Sequence, residues 1–237
     1  MSDTPVYDHD PIEEIQPDVF MVRGCIQMNA LMKITRNMAI VRHAGELTLV
    51  DPIRLSAGEE KRLDALGTVK RILRLGPFHG VDDAYYARRY GADLWAPGPS
   101  DAHPEPKPTL VFDAGTALPF PDAELFCFQG LKQPEAALLL RRGPGLLITC
   151  DSIQNYGDYR YNNLPARLLM PFIGFPKTTI VGPMWVKAMT PGGGSLESEF
   201  RRLLELDFDQ LLSAHGSWLA KGAHAACERA VDRMFSR

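Results

Sequence analysis

The stretch from Arg74 to Asp83 constrains the fold most, because it joins an apolar strand to a short helix. Residues 69–75 (VKRILRL) predict a strand, and residues 84–90 (AYYARRY) predict a helix that ends at Gly91. In an α/β sheet, such a loop opens at the carboxyl end of a strand, where binding sites are usually built. We therefore expect the chemistry of this chain in the loop, where His79 is the one imidazole.

This junction resembles the centre of the metallo-β-lactamase fold. In that superfamily the loop normally carries His-x-His-x-Asp-His, which supplies most ligands of a two-metal site. Counting back from the end of the predicted helix aligns His79 with the last histidine. Arg74, Gly76 and Phe78 then occupy the other three positions, and none of them replaces the expected ligand. The pattern is closest to a subfamily in which this motif is degenerate.

A second register remains open for the same loop. It aligns Asp82 and Asp83 with the Asp-His pair of the motif. This register spaces the following helix badly and leaves His79 without a role, so it ranks second.

The resemblance extends over most of the chain. Residues 130–135 (GLKQPE) resemble the Gly-His-Thr-Pro-Gly segment, with Lys132 in place of a metal-binding histidine. Residues 146–151 resemble the strand whose terminal aspartate, here Asp151, lies between the two metals. Residues 211–216 resemble the late strand that ends in Gly-His-Gly, which supplies His215. The resemblance implies an α/β fold, a four-layer αββα sandwich.

The resemblance also implies that His79, Asp151 and His215 surround one centre. Two neutral imidazoles and a carboxylate can hold one divalent ion, zinc, iron or manganese, with positions open for water and substrate. Such an ion would lower the pKa of a bound water to roughly 7 and supply hydroxide for hydrolysis of a small molecule. A second metal cannot be assembled from the residues at the other ligand positions, so we do not expect conventional β-lactam hydrolysis.

The alternative is a metal-free pseudoenzyme that binds a small anionic ligand or a protein partner. In that case the three residues hydrogen-bond one another, and Arg74 and Lys132 supply positive charge in place of the ions. Under either hypothesis the candidate pocket residues are Arg74, Phe78, Asp82, Asp83, Lys132 and Tyr156.

Composition indicates one domain over residues 1–237, since 237 residues that are 45% hydrophobic can bury a substantial core. A net charge of -3 gives no global attraction for nucleic acid or an anionic membrane, so neither is an expected partner. The four cysteines lack CxxC spacing, which predicts small buried side chains. The polar, acidic N-terminal residues predict a cytoplasmic location.

An insertion is predicted at about residues 152–194. Five prolines in it prevent one long helix and favour short helical pieces. The segment either packs on its own domain or forms a lid or dimer surface, and we expect it over the pocket mouth as the site of self-association into a homodimer. Elsewhere, the sequence predicts a hairpin of residues 28–34 and 38–42, a solvated His9 and an exposed His103.

Overall fold

The computed structural model describes residues 4–103 and 105–236. Two β-sheets pack face to face with helices outside each, which is the predicted four-layer αββα sandwich. The first sheet has seven strands in chain order: β1 (Glu13–Gln16), β2 (Val19–Gln27), β3 (Lys33–His43), β4 (Glu46–Val50), β5 (Thr68–Leu73), β6 (Asp93–Pro97) and β7 (Leu110–Phe112). Neighbouring strands are antiparallel from β1 to β4 and parallel from β4 to β7.

The other strands are β8 (Ala123–Cys127), β9 (Ala136–Leu140), β10 (Leu146–Thr149), β11 (Ile153–Asn155), β12 (Thr179–Val181) and β13 (Gln210–Ser213). The second sheet has the order β13, β10, β9, β8, in which β10 is parallel to β13 and antiparallel to β9. Strands β11 and β12 form a separate antiparallel pair.

All but one of the helices in the described residues pack on the outer faces of the two sheets. The helices are α1 (Ala57–Leu66), α2 (Asp83–Tyr90), α3 (Leu164–Leu169), α4 (Pro183–Met189), α5 (Glu197–Leu203) and α6 (Ala223–Phe235), with 3-10 turns at Ser100–Ala102 and Met170–Ile173. Side chains of β9 alternate between layers, because Leu138 joins the core between the sheets and Leu139 packs under the outer helices. No helix in residues 4–103 and 105–236 is long and apolar enough to cross a membrane.

The predicted hairpin of residues 28–34 and 38–42 is wrong. Strand β3 continues without a break from Lys33 to His43 and pairs with β2 from Lys33 to Val41. Polar residues at its centre suggested an interruption, but they are buried and bonded to the second sheet and to segment 152–194. The backbone N–H of Asn37 donates to the Ala214 carbonyl at 2.8 Å, and the N–H of Thr35 donates to Asn162 Oδ1 at 2.8 Å.

Segment 152–194 contains β11, α3, a 3-10 turn, β12 and α4, so its helical pieces are short, as the prolines predicted. In one part of the segment, Tyr156 and Met170 pack with Met32 from the loop after β2. Another part inserts Trp185 and Met189 among the core residues beneath α5 and α6. The segment is therefore attached to the sandwich at two places.

The histidine predictions outside the site were partly wrong. His103 is 1% exposed, because its proline-rich loop returns over β6 and the ring hydrogen-bonds the Pro97 carbonyl. His9 is half-buried, and its Nε2 accepts the backbone N–H of Ser56 at 2.8 Å. The prediction for the cysteines is confirmed, since all four are buried and free.

Candidate metal centre

Parallel strands bring Asp151 and His215 together. Strands β10 and β13 pair in register, with Thr149 opposite Ser213. Each candidate ligand lies two residues beyond that pair, so both side chains leave the same edge of the sheet. The Ala214 N–H donates to the Thr149 carbonyl at 2.9 Å and continues the pairing beyond the strands. His215 Nε2 is consequently 3.0 Å from Asp151 Oδ1.

The first sheet supplies His79 to the same point. Its loop follows β5 and is held against the second sheet, because the Ala136 N–H donates to the Leu75 carbonyl at 2.8 Å. His79 Nε2 lies 3.4 Å from Asp151 Oδ2 and 3.3 Å from His215 Nε2. The three residues offer ligand atoms within 4.8 Å of one another. The structure thus brings together all three residues predicted as ligands.

A backbone carbonyl fixes the ring of His215. Its Nδ1–H donates to the Thr35 carbonyl at 2.7 Å, which leaves Nε2 facing Asp151 and His79. Outer hydrogen bonds of this kind orient metal-binding histidines and set their tautomer. By contrast, Nδ1 of His79 is buried and has no hydrogen-bond partner among the described residues.

The electrostatics favour positive charge at this centre. Burial opposes ionisation of Asp151, yet the adjacent His79 and His215 lower its pKa below the usual value. Burial likewise acts against a charged His215, but the hydrogen bond and charge of Asp151 raise its pKa. Two ring nitrogens and a carboxylate that converge in this way need a proton or a cation between them. A divalent metal fits this donor set.

A buried carboxylate that the sequence analysis missed lies beside the centre. Glu135 is 1% exposed and accepts hydrogen bonds from the Ser152 N–H at 3.0 Å and Trp185 Nε1 at 2.6 Å. Burial and the charge of Asp151 raise the pKa of Glu135 well above its ordinary value. A Cβ on Gly76 would come within 2.7 Å of Glu135 Oε2. Glu135 therefore fills the space next to Gly76, which the sequence comparison aligned with a motif histidine.

Arg74, which the sequence comparison aligned with another motif histidine, forms a buried ion pair. Arg74 and Asp83 have fully buried side chains, and Arg74 Nε donates to Asp83 Oδ2 at 2.7 Å. A Cβ on Gly80 would meet Arg74 Nε at 2.6 Å, so the glycine leaves room for the guanidinium. Neither residue lines the cavity that contains His79, Asp151 and His215.

A second group of candidate ligands shares His79. Asp51 and Cys150 each offer a ligand atom within 4.8 Å of it and of one another, and all three residues are buried. Asp51 also accepts the Leu75 N–H at 2.9 Å, which fixes its carboxylate. Burial is the main cause that raises the pKa of the Cys150 thiol, and the carboxylates of Asp51, Glu135 and Asp151 add to it. Cys150 is therefore poorly suited to bind a metal as a thiolate, and the second group is the weaker candidate.

A cavity of about 520 Å³ opens over the three predicted ligands. Phe78 and Tyr156 line it, as does Arg36, which the sequence analysis did not single out. Asp82 lines a neighbouring cavity of about 250 Å³, which also contacts Arg36. Lys132 is exposed and does not belong to the lining of either cavity.

No protein-family model and no curated protein matches the sequence. Solved structures do match. The metallo-β-lactamase FIM-1 from Pseudomonas aeruginosa in its mono-zinc form gives a TM-score of 0.64 at 11% identity, over 98% of this chain and 97% of that one. A metallo-β-lactamase from Hirschia baltica gives a TM-score of 0.64 at 10% identity, over 94% of this chain and 98% of that one. A metallo-β-lactamase from Erythrobacter litoralis gives a TM-score of 0.60 at 13% identity, over 95% of this chain and 94% of that one. The chain therefore has the metallo-β-lactamase fold, which confirms the resemblance found in the sequence.

Proposed function

We propose that the protein is a mononuclear metal-dependent hydrolase of a small molecule, with His79, Asp151 and His215 as the ligands. The observation that carries the proposal is the convergence of two ring nitrogens and a carboxylate, 3.0 to 3.4 Å apart, at a cavity. A zinc, iron or manganese ion held there would act as a Lewis acid and lower the pKa of a water to about 7.

The surrounding residues position these ligands. The Thr35 carbonyl orients His215, and Gln154 Nε2 donates to Asp151 Oδ1 at 3.3 Å. Phe78, at the position of the missing motif aspartate, lines the cavity with an apolar ring. These residues therefore hold the site in one geometry and leave the substrate side apolar.

One ion is proposed rather than two, because the other ligand positions are filled. The Arg74–Asp83 ion pair occupies one of them, and Glu135 and Cys150 fill the space beside Gly76. One of the similar structures, the Pseudomonas aeruginosa enzyme, is a mono-zinc form. That likeness supports the notion that this fold accommodates a single metal.

Hydrolysis of chromogenic carboxylic esters tests the proposal. We expect turnover that a chelator abolishes and added zinc, iron or manganese restores, and that His215→Ala removes. His43→Ala is the matched control, since His43 is exposed and should leave turnover unchanged. A chromogenic β-lactam should not be hydrolysed at a significant rate. Ester turnover that persists in His215→Ala would contradict the assignment of the site.

The second candidate is a metal-free protein that binds an anionic ligand or a protein partner. One observation favours it: Arg36 lines the cavity, and its Nε–H is buried without a hydrogen-bond partner in the described chain. Arg36 lines the cavity and Arg74 does not, so a charge offered to a ligand there would come from Arg36. Protein that binds carboxylates but no metal would support this alternative.

A further inference from the structure

The cavity over the centre is built for an apolar body. Its volume of about 520 Å³ lies within the range of small-molecule sites, roughly 300–1,000 Å³. Four methionines line it: Met28, Met32, Met170 and Met184. Methionine side chains are flexible and fill irregular gaps, so such walls adapt to an apolar ligand without fixing its shape.

The mouth of the cavity is apolar as well. Four large apolar side chains of the lining are partly exposed: Met28 is 46%, Phe78 is 49%, Ile173 is 41% and Met184 is 62% accessible. Exposed apolar side chains that continue into a groove are typical of ligand-binding surfaces. An apolar ligand can therefore enter without crossing a polar rim at these residues.

The polar groups of the lining include one cation besides the proposed ligands. Arg36 is 3% exposed, and its Nη2 donates to the Pro52 carbonyl at 3.2 Å. Its Nη1 is 3.5 Å from Asp82 Oδ2, which is a long contact, and its Nε–H has no partner among the described residues. Arg36 and His215 line the same cavity, so the guanidinium lies near the centre. This guanidinium suits a carboxylate or a carbonyl oxygen.

We propose that the cavity binds an acyl group with one long saturated chain, and that the substrate is its carboxylic ester. The ester part rests on the proposed function, whereas the chain part rests on the cavity walls alone. Water adds its oxygen to the carbonyl carbon, and the bond from that carbon to the alkoxy oxygen breaks. One water proton passes to the leaving alcohol and the other to solvent, so the products are a carboxylate and an alcohol.

Calorimetric titration with hexanoate, octanoate, decanoate and dodecanoate tests whether the cavity binds a long alkyl chain. The dissociation constant should fall by about fourfold per added methylene. The same slope should appear in protein treated with a chelator, because the walls do not depend on a metal. A flat series would overturn the proposal even if ester hydrolysis occurs. A steep series in protein that never binds metal would retain the acyl site and reject the hydrolase.

Two matched rim variants locate the site. Met184→Glu places a charge in the apolar mouth, whereas Leu164→Glu places one on α3, at a residue that is 68% exposed and does not line the cavity. Both positions are exposed, so both variants should fold. Compared with wild-type protein, Met184→Glu should bind decanoate about tenfold more weakly, and Leu164→Glu should bind it with unchanged affinity. Equal affinities in the two variants would place the ligand elsewhere and overturn the proposal.

The head group is tested by comparing decanoate with 1-decanol. Wild-type protein should bind decanoate more tightly than 1-decanol. Arg36→Met should weaken the binding of decanoate by about tenfold and leave the binding of 1-decanol unchanged. Equal binding of the two compounds to the wild type would overturn the assignment of Arg36. That comparison needs no variant, so it holds even if Arg36→Met does not fold.

Discussion

At the scale of single residues, Gly76 shows how closely the loop after β5 packs against the second sheet. A Cβ at this position would lie 2.7 Å from Glu135 Oε2 and 2.8 Å from Cys150 Sγ, both of which are buried. Gly76→Ala should therefore lower the free energy of unfolding by roughly 1–3 kcal/mol. Gly58→Ala is the control, because Gly58 lies in α1 with no atom within 4 Å of a Cβ. Gly58→Ala should raise the free energy of unfolding by up to about 1 kcal/mol, as measured by chemical denaturation. Equal changes in the free energy of unfolding in the two variants would mean that Glu135 moves aside for the added methyl group.

His103 should make stability depend on pH. Burial is the main cause that lowers its pKa from 6.5, with the charges of Arg74 and Lys107 in support and the hydrogen bond to Pro97 in opposition. Between the lowered folded pKa and the ordinary unfolded one, the unfolded state binds more protons, so stability rises with pH there and is lost on acidification. His103→Gln cannot take up this proton. Denaturation between about pH 5 and pH 8 should show a steeper loss of stability on acidification in the wild type than in the variant. Parallel curves would contradict the prediction.

The sequence was sufficient to predict which three candidate ligands come together, but it did not predict their neighbours. Asp151 and His215 each follow an apolar strand, and His79 lies in a strand-to-helix loop, so local pattern and the resemblance were sufficient. Arg36 and Glu135 look like ordinary surface charges in the sequence. Their burial depends on groups far along the chain, 50 residues away in the case of Glu135 and Trp185.

At the scale of elements, α4 is fastened to the sandwich through Trp185. Its indole N–H donates to the buried Glu135, and its ring lies 5.4 Å from Phe128 and 5.6 Å from Phe200 between centroids. Trp185→Phe keeps much of the packing but removes the donor. The free energy of unfolding should fall by about 1–3 kcal/mol, since a buried acceptor loses a partner. The adjacent Met184→Ala is the control and should change it by less than about 0.5 kcal/mol. Similar losses in both would show that the hydrogen bond is unimportant.

Element boundaries were predictable where periodicity was clear. Helix α2 lies over residues 83–90, close to the predicted 84–90, because a glycine ends it. Strand β3 was divided in two because Thr35, Arg36 and Asn37 interrupt its apolar residues. In the structure those three side chains are buried contacts to other parts of the fold. A buried polar run cannot be distinguished from a turn without its partners.

At the scale of the whole molecule, segment 152–194 exposes large apolar side chains. Leu164, Leu168 and Phe172 are 68%, 64% and 88% exposed. Because exposed apolar surface of this kind favours association, we predict a homodimer through this face. Sedimentation equilibrium should show a dimer that Phe172→Ser weakens and Val111→Ser, at a 45% exposed residue of β7, leaves unchanged. A monomer at all concentrations would contradict the prediction. One domain over residues 1–237 and a cytoplasmic location stay predictions.

The metal content of untagged protein tests the central claim most directly. After incubation with zinc, iron or manganese and removal of the excess, elemental analysis should find about one ion per chain. Asp151→Asn and His215→Ala should lose that ion and keep their circular dichroism spectra, and His224→Ala, whose ring hydrogen-bonds the Leu204 carbonyl, should keep it. Two ions per chain, or none with any of the three metals, would contradict a single centre of His79, Asp151 and His215.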